Sequence, residues 1–263
     1  MDRIFEGRVA LVTGAATGMG KSIAKLFSEK GAKVVVTTRK NVTDGEAVAN
    51  EICKAGGEAI FIRCDVSKEN EVEDTIKKIV DKYGRLDYAA NNAGVGPDGK
   101  RLPIAPISEY TEELWDAIMD TNVKGAMFCM KHEIRQMQKQ KYGSIVNTSS
   151  VSNLVANPGF AAYGASKAGL CKLTQIAASE CATLGIRVNC IMPGPTMDTL
   201  LFDNLTATEP NAGDMFSRAV PMRRMGKPIE MAETVVWLCS DASSFITGHS
   251  VPVDGGMTMQ VIE

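Results

Sequence analysis

A chain of 263 residues, 44% of them hydrophobic, can fill one large α/β domain with a sizeable core. Its formal net charge of −2 leaves no electrostatic footprint for nucleic acid or an anionic membrane. No apolar run approaches the ~20 residues of a membrane span, and residues 1–6 lack the apolar centre of a signal peptide.

Short apolar runs alternate with longer helical patterns along the chain. Residues 8–13 are almost all apolar or β-branched, as in a strand buried on both faces. Glycines follow, and residues 21–30 carry apolar side chains at helical spacing. Further strands are predicted at 33–38, 59–64 and 86–91, separated by helices at 46–55 and 67–83 that end at Gly56 and Gly84. Residues 95–106, rich in proline and glycine, read as a loop. A helix starts near Ser108 or Thr111 and runs to about Lys139 with a break at Gly125. A strand at 144–148, an Ala-rich helix at 161–183 and a strand at 186–192 come next. Residues 193–224, with four prolines and only short helical signals, read as an insertion that covers a substrate, spanning about 195–225. A helix at 228–240 and a strand at 250–253 close the pattern. Such alternation predicts an α/β fold, a doubly wound parallel sheet with helices on both faces, in a single domain over residues 1–263.

Tyr163 and Lys167 lie four apart on the 161–183 helix and so share one face. A tyrosine hydroxyl titrates near pH ~10 in water, too high for efficient proton transfer at neutral pH. A nearby ammonium favours the phenolate and lowers that value. Ser150, just beyond the 144–148 strand, brings a hydroxyl to the point where strand end meets helix start. Alone, Tyr-x-x-x-Lys reads more often as a partly buried tyrosine beside a solvated lysine.

The second anchor is Gly14-Ala15-Ala16-Thr17-Gly18-Met19-Gly20, between the first strand and first helix. Glycines there let backbone approach a pyrophosphate, which a helix N-terminus stabilises. A P-loop, the signature of a phosphotransferase, needs glycine where this chain has Ala15. The seven cysteines are scattered and form no Cys-x-x-Cys, and the two histidines, His132 and His249, lack metal-ligand spacing. This predicts a protein of the reducing cytoplasm with no metal site.

Thr13-Gly14-x-x-x-Gly18-x-Gly20, Asp65-Val66, Asn91-Asn92-Ala93-Gly94, Asn122, Ser150, Tyr163-x-x-x-Lys167 and Pro193-Gly194 occur in that order over residues 8–256. With them the chain resembles a short-chain dehydrogenase/reductase of the compact, single-domain type. The resemblance implies a Rossmann fold on a seven-stranded parallel sheet, and hydride transfer between a nicotinamide and an alcohol or carbonyl. Carried over, Tyr163 exchanges the proton, Lys167 tunes it and holds the nicotinamide ribose, and Ser150 binds the substrate oxygen. Asn122 either helps hold a water that links Lys167 to solvent or bonds backbone as an ordinary helix residue. Gly14, Thr17, Gly18, Met19 and Gly20 form the cofactor cradle. Asp65, beside Val66, either accepts from the adenine amino group or caps the following helix. Asn91 lines the adenosine ribose and ties strands together. Pro193 and Thr196 lie by the carboxamide. A homotetramer is implied too, with the 108–139 and 163–183 helices in one interface and the 250–253 strand in another.

At the end of the second strand Thr38 stands where NAD-binding relatives place an acid, followed by Arg39 and Lys40. A guanidinium suits a 2′-phosphate, so NADP(H) is favoured over NAD(H), although Thr17 supplies no basic side chain. The apolar stretches around Phe160 and from Met197 to Met225 suggest a hydrophobic small-molecule ketone or alcohol, cyclic or steroid-like. A 3-oxoacyl thioester reductase is the alternative, as is a non-catalytic dinucleotide-binding sensor or scaffold, against which Ser150, Tyr163 and Lys167 argue.

Overall fold

The apolar and β-branched runs form strands β1 (Val9–Thr13), β2 (Lys33–Thr38), β3 (Glu58–Arg63), β4 (Tyr88–Asn91), β5 (Gly143–Thr148), β6 (Ile186–Pro193) and β7 (Ser250–Val253). In the computed structural model, which describes residues 3–259, they build one parallel sheet in the order β3-β2-β1-β4-β5-β6-β7. The first two and last four residues of the expected 1–263 span lie outside the described residues. Between the strands run helices α1 (Gly18–Glu29), α2 (Val42–Lys54), α3 (Glu69–Tyr83), α4 (Glu112–Met119), α5 (Ala126–Gln140), α6 (Ala161–Cys181), α7 (Leu200–Thr208), α8 (Ala212–Ala219) and α9 (Pro228–Cys239). Among the described residues no helix is long and apolar enough to cross a membrane.

Strand side chains alternate between two apolar layers, as the period of two demands. Ala10, Val12, Val34 and Val36 pack with Ile23, Phe27, Val48 and Val235 of α1, α2 and α9. Val9, Leu11 and Val35 pack on the other face with Ile76, Met130, Met137 and Leu170 of α3, α5 and α6. Both faces are therefore covered, and β1 and β5 are buried along their whole length. The strand order reverses direction between β1 and β4, and the crevice at that switch point opens at the carboxyl ends of the strands.

Two elements depart from the sequence reading. α2 begins at Val42 rather than 46, with Gly45 inside it. A Cβ at Gly45 would lie 2.4 Å from the Phe61 ring, so this glycine lets the helix settle on β3 rather than breaking it. The predicted 108–139 helix is split further upstream than Gly125. Thr111 caps α4 by accepting from Leu114 N at 3.2 Å, and a π-helical turn over Asp120–Gly125 precedes α5. The turn ends where Gly125 meets Val66, whose Cγ2 would be 2.9 Å from an added Cβ.

Beneath the carboxyl end of β4 lies a buried polar group of residues. Asn91 Nδ2 donates to Glu133 Oε2 at 3.0 Å and to Asn147 Oδ1 at 3.1 Å, and Asn147 Nδ2 donates to Thr174 Oγ1 at 2.9 Å. Glu133 is fully buried, and Oε1 has no partner among the described residues. Burial pushes its carboxyl up to about 8, with the Asn91 amide opposing. The folded chain thus keeps a proton that the unfolded chain releases near the usual glutamate value of ~4.3. Between those values the folded state binds more protons, so its stability falls as pH rises from about 4 to about 8, by up to about 1.4 kcal/mol per unit. Denaturant unfolding of Glu133→Gln across this range is expected to show that slope removed. Parallel pH profiles for the two proteins would contradict the assignment.

Candidate active site

A cleft of about 580 Å³ crosses the carboxyl ends of the strands. One end is built from the glycine loop. Gly14 and Gly18 have φ of +64° and +55°, and a Cβ on Gly14 would come within 2.9 Å of Ala93 Cα. Thr17 is the α1 N-cap but makes no side-chain cap bond. The N–H groups of Gly18, Met19 and Gly20 have no protein partner among the described residues. That donor set at a helix N-terminus, where glycines admit a close backbone approach, fits a pyrophosphate. Gly20 itself lies behind the loop, where a Cβ would meet Gly14 O at 2.3 Å. Its place is structural, and the residue facing it, Asn92, ties β4 to the loop by donating to Thr13 O and Gly14 O, each at 3.2 Å.

Beyond the loop the cleft is lined by Thr38, Arg39, Lys40, Asp65 and Val66. Arg39 lies at the rim, its side chain 38% exposed and its Nη1 3.8 Å from Asp65 Oδ2. Asp65 does not cap α3, whose N-cap is Lys68. It accepts instead from Ser67 N at 3.1 Å and Ser67 Oγ at 2.7 Å, a local turn that leaves the residue on the cleft wall. Asn91 is not on that wall. Its side chain is turned inward to Glu133 and Asn147, so only the strand-tying half of its expected role has a geometric basis.

At the centre Ser150, Tyr163 and Lys167 line the same cleft from β5's end and the first turns of α6. Lys167 is 4% exposed and Nζ donates to Thr148 O at 2.8 Å. Burial lowers its ammonium to about 8, while the neighbouring Cys190 and Cys171 oppose this. The Tyr163 ring lies 5.5 Å from Nζ, edge-on to Phe160 at 6.1 Å and 80°. Gly96 covers it so closely that a Cβ there would be 2.9 Å from the ring. Burial raises the Tyr163 pKa, and the Ser150 hydroxyl works against that rise. The expected downward shift from Lys167 is absent here: burial is the largest influence on the phenol, and only the Ser150 hydroxyl opposes it.

Supporting bonds hold Tyr163 and Lys167 in place. Ser149 Oγ donates to Lys167 O at 2.8 Å, and Ser166 Oγ donates to Tyr163 O at 2.7 Å. Asn122, in the π-helical turn, accepts from Val95 N and donates to Val95 O, both at 2.8 Å, and donates to Ser166 Oγ at 3.0 Å. The side chain thus bonds backbone, as one of the two expected roles requires. It braces α6 against the loop after β4 and does not reach the cleft. Gly94 completes the fit, since a Cβ there would lie 3.2 Å from Lys167 Nζ. Pro193 and Thr196 line the cleft opposite, with Thr196 Oγ1 donating to Gly194 O at 2.9 Å. Sequence reasoning missed Gly96 and the Thr148 carbonyl. The first sits in a loop of no fixed pattern, and the second is a backbone atom with no side-chain signature. Among the described residues no group of three or more His, Cys, Asp or Glu is placed to hold a metal.

A family model described as enoyl-(acyl carrier protein) reductase matches residues 14–258. The chain is 38% identical over 250 residues to the 3-oxoacyl-[acyl-carrier-protein] reductase FabG of Staphylococcus epidermidis, across 95% of this chain and 98% of that one. It is 40% identical over 253 residues to the 3-oxoacyl-[acyl-carrier-protein] reductase of Synechocystis sp., across 96% and 97%. The crystal structure of a putative gluconate dehydrogenase from Agrobacterium tumefaciens superposes with a TM-score of 0.91 at 29% identity, covering 99% and 100% of the two chains.

Proposed function

The chain belongs to the short-chain dehydrogenase/reductase family, and from that premise we propose that it reduces the 3-oxo group of an acyl thioester to a hydroxyl, with NADPH as reductant. The observation that carries this reading is the Ser150–Tyr163–Lys167 group beside a cradle that suits a pyrophosphate, in a chain matched over 95% and 96% of its length by relatives named as 3-oxoacyl-[acyl-carrier-protein] reductases. The sequence favoured a cyclic or steroid-like ketone on the strength of an apolar lining. None of the relatives described above is named for such a substrate, and the same lining, with Leu201, Phe202 and Phe216, suits an acyl chain.

When bound, the reduced nicotinamide supplies a hydride to the carbonyl carbon. Tyr163 donates the proton to the carbonyl oxygen, and the Ser150 hydroxyl donates a hydrogen bond to the same oxygen as charge develops there. Lys167, anchored on Thr148 O, keeps two N–H bonds for the nicotinamide ribose and sets its charge beside the phenolate that proton transfer leaves. With its pKa raised, the phenol is protonated through the neutral range, the state from which reduction starts. Gly14, Thr17, Gly18 and Met19 hold the pyrophosphate, Asp65 and Val66 the adenine, and Pro193 and Thr196 the carboxamide.

The preference for NADP(H) rests on Arg39, whose guanidinium stands at the cleft rim by the end of β2. Exposed Trp115, Met127 and Ile176 on α4, α5 and α6, and Phe245 just before β7, support burial of these faces in a homotetramer. Six of the seven cysteines are buried and all are free, which suits a reducing cytoplasm.

Tyr163→Phe is expected to keep fold and cofactor binding while NADPH consumption with acetoacetyl-CoA falls about 10²- to 10⁴-fold. Wild-type rates in that variant would remove Tyr163 from the chemistry. Steady-state kinetics should show NADPH favoured about ten- to a hundredfold through a charge-assisted contact worth about 1.5–3 kcal/mol. Thr38→Asp with Arg39→Ile should reverse that order, by repulsion of the phosphate as much as by a new acceptor for the 2′-hydroxyl. An unaltered enzyme that already prefers NADH would make Arg39 a surface charge. Light scattering at micromolar concentration should give the tetramer mass, and a monomer would refute the assembly.

A further inference from the structure

The loop after β4 and helix α7 meet along their length. A Cβ on Gly96 would touch Leu201 Cδ1 at 3.4 Å, Asp98 Oδ2 accepts from Asn204 Nδ2 at 2.9 Å, and Gly99 faces Thr208 Oγ1. Asp98 is fully buried at the middle of this seam. It also accepts from the backbone N–H groups of Lys100, Arg101 and Leu102, at 3.1, 2.6 and 3.3 Å, and from Arg101 Nε. Burial pushes this carboxyl up, but the donors from Arg101, Asn204 and Lys100 outweigh it and hold the group at about 2. It therefore stays charged across the physiological range, and Arg101 stays bound to it.

Arg101 lines the cleft, with its side chain 39% exposed. Only Nε is engaged, and the two terminal nitrogens have no protein partner among the described residues. The other cations on the cleft wall are Arg39 and Lys40 at the end of β2, and Lys167 at the centre. In the half walled by Leu201, Phe202, Leu205 and Phe216, Arg101 is the one charge among the described lining residues. A guanidinium held along one edge by a buried carboxylate presents its end-on fork, the geometry that receives two oxygens of a carboxylate or phosphate.

We infer that Arg101 is a specificity-determining residue that receives an anionic group of the substrate beyond the reacting carbonyl. Asp98 is the positioning residue that fixes its fork and, through Asn204, ties the same loop to α7. The inference rests on the reading that the cleft reduces an oxo group held between Ser150 and Tyr163. Anion binding and seating of the 195–225 segment are thereby coupled through one buried carboxylate. The anion is either a free carboxylate of a small oxo acid or a phosphate on the arm of a thioester.

Three probes separate these sources: acetoacetate, acetoacetyl-CoA, and the neutral S-acetoacetyl-N-acetylcysteamine. NADPH consumption gives KM and kcat, and calorimetric titration of the NADP⁺-loaded protein gives binding without turnover. In Arg101→Leu, KM and Kd for the preferred anionic probe should rise about ten- to a hundredfold. The neutral thioester, which offers nothing to the fork, should change far less, and Arg101→Lys should restore part of the loss. Asn204→Ala, which alters no residue of the cleft wall, should weaken the same anionic probe selectively. Equal losses on all three probes, no loss on any, or a wild-type protein that binds neither anionic probe would overturn the inference. Turnover of acetoacetate but of no thioester would instead remove the thioester reading and leave Arg101 standing.

Discussion

One hydrogen bond, from the buried Lys167 ammonium to the Thr148 carbonyl, fixes the centre of this molecule. A cation taken out of water needs compensation, and a strand-end carbonyl whose β-ladder partner has run out supplies it. That requirement sets where α6 may lie against β5. It explains why Ser149 reaches back to Lys167 O, why Gly94 has no side chain, and why Asn122 clamps the preceding loop onto α6. Each support acts on α6 itself or on the space beside Nζ. The lysine is thus delivered to the cleft as part of the sheet's architecture, with little freedom of its own.

Burial also decides the electrostatics. Taken as a pair in water, an ammonium should draw the phenol pKa down. In the folded protein both groups are desolvated, so the phenol moves up and the ammonium down. Burial thus drives apart two values that nearly coincide in water. A proton donor and a partly charged neighbour then coexist at neutral pH, the condition a reductase needs at its acid. The Ser150 hydroxyl offsets part of the rise on Tyr163.

The sheet was legible because its signal is local: apolar β-branched runs of strand length, separated by helical spacing and glycine stops. Ser150, Tyr163 and Lys167 were legible because one strand end and one helix start carry them. What escaped was non-local. The sequence starts the second helix after Gly45, and only Phe61 on β3 shows why a residue without a side chain belongs inside it. Asn91 reads as a cleft residue until Glu133, on α5, draws its amide inward. Asp98 and Asn204 are 106 positions apart, and nothing in either stretch announces the bond between them. From the π-helical turn Asn122 likewise reaches Val95 and Ser166, contacts that no periodicity encodes.

The most direct test of this account is the titration of Lys167 itself. In protein labelled with ¹⁵N-lysine, with Lys167→Arg used to assign the signal, the side-chain resonance should titrate with a midpoint near 8. A midpoint at the ordinary lysine value of ~10.4 would mean that the ammonium is solvated. Burial would then not be what sets the proton chemistry of this site.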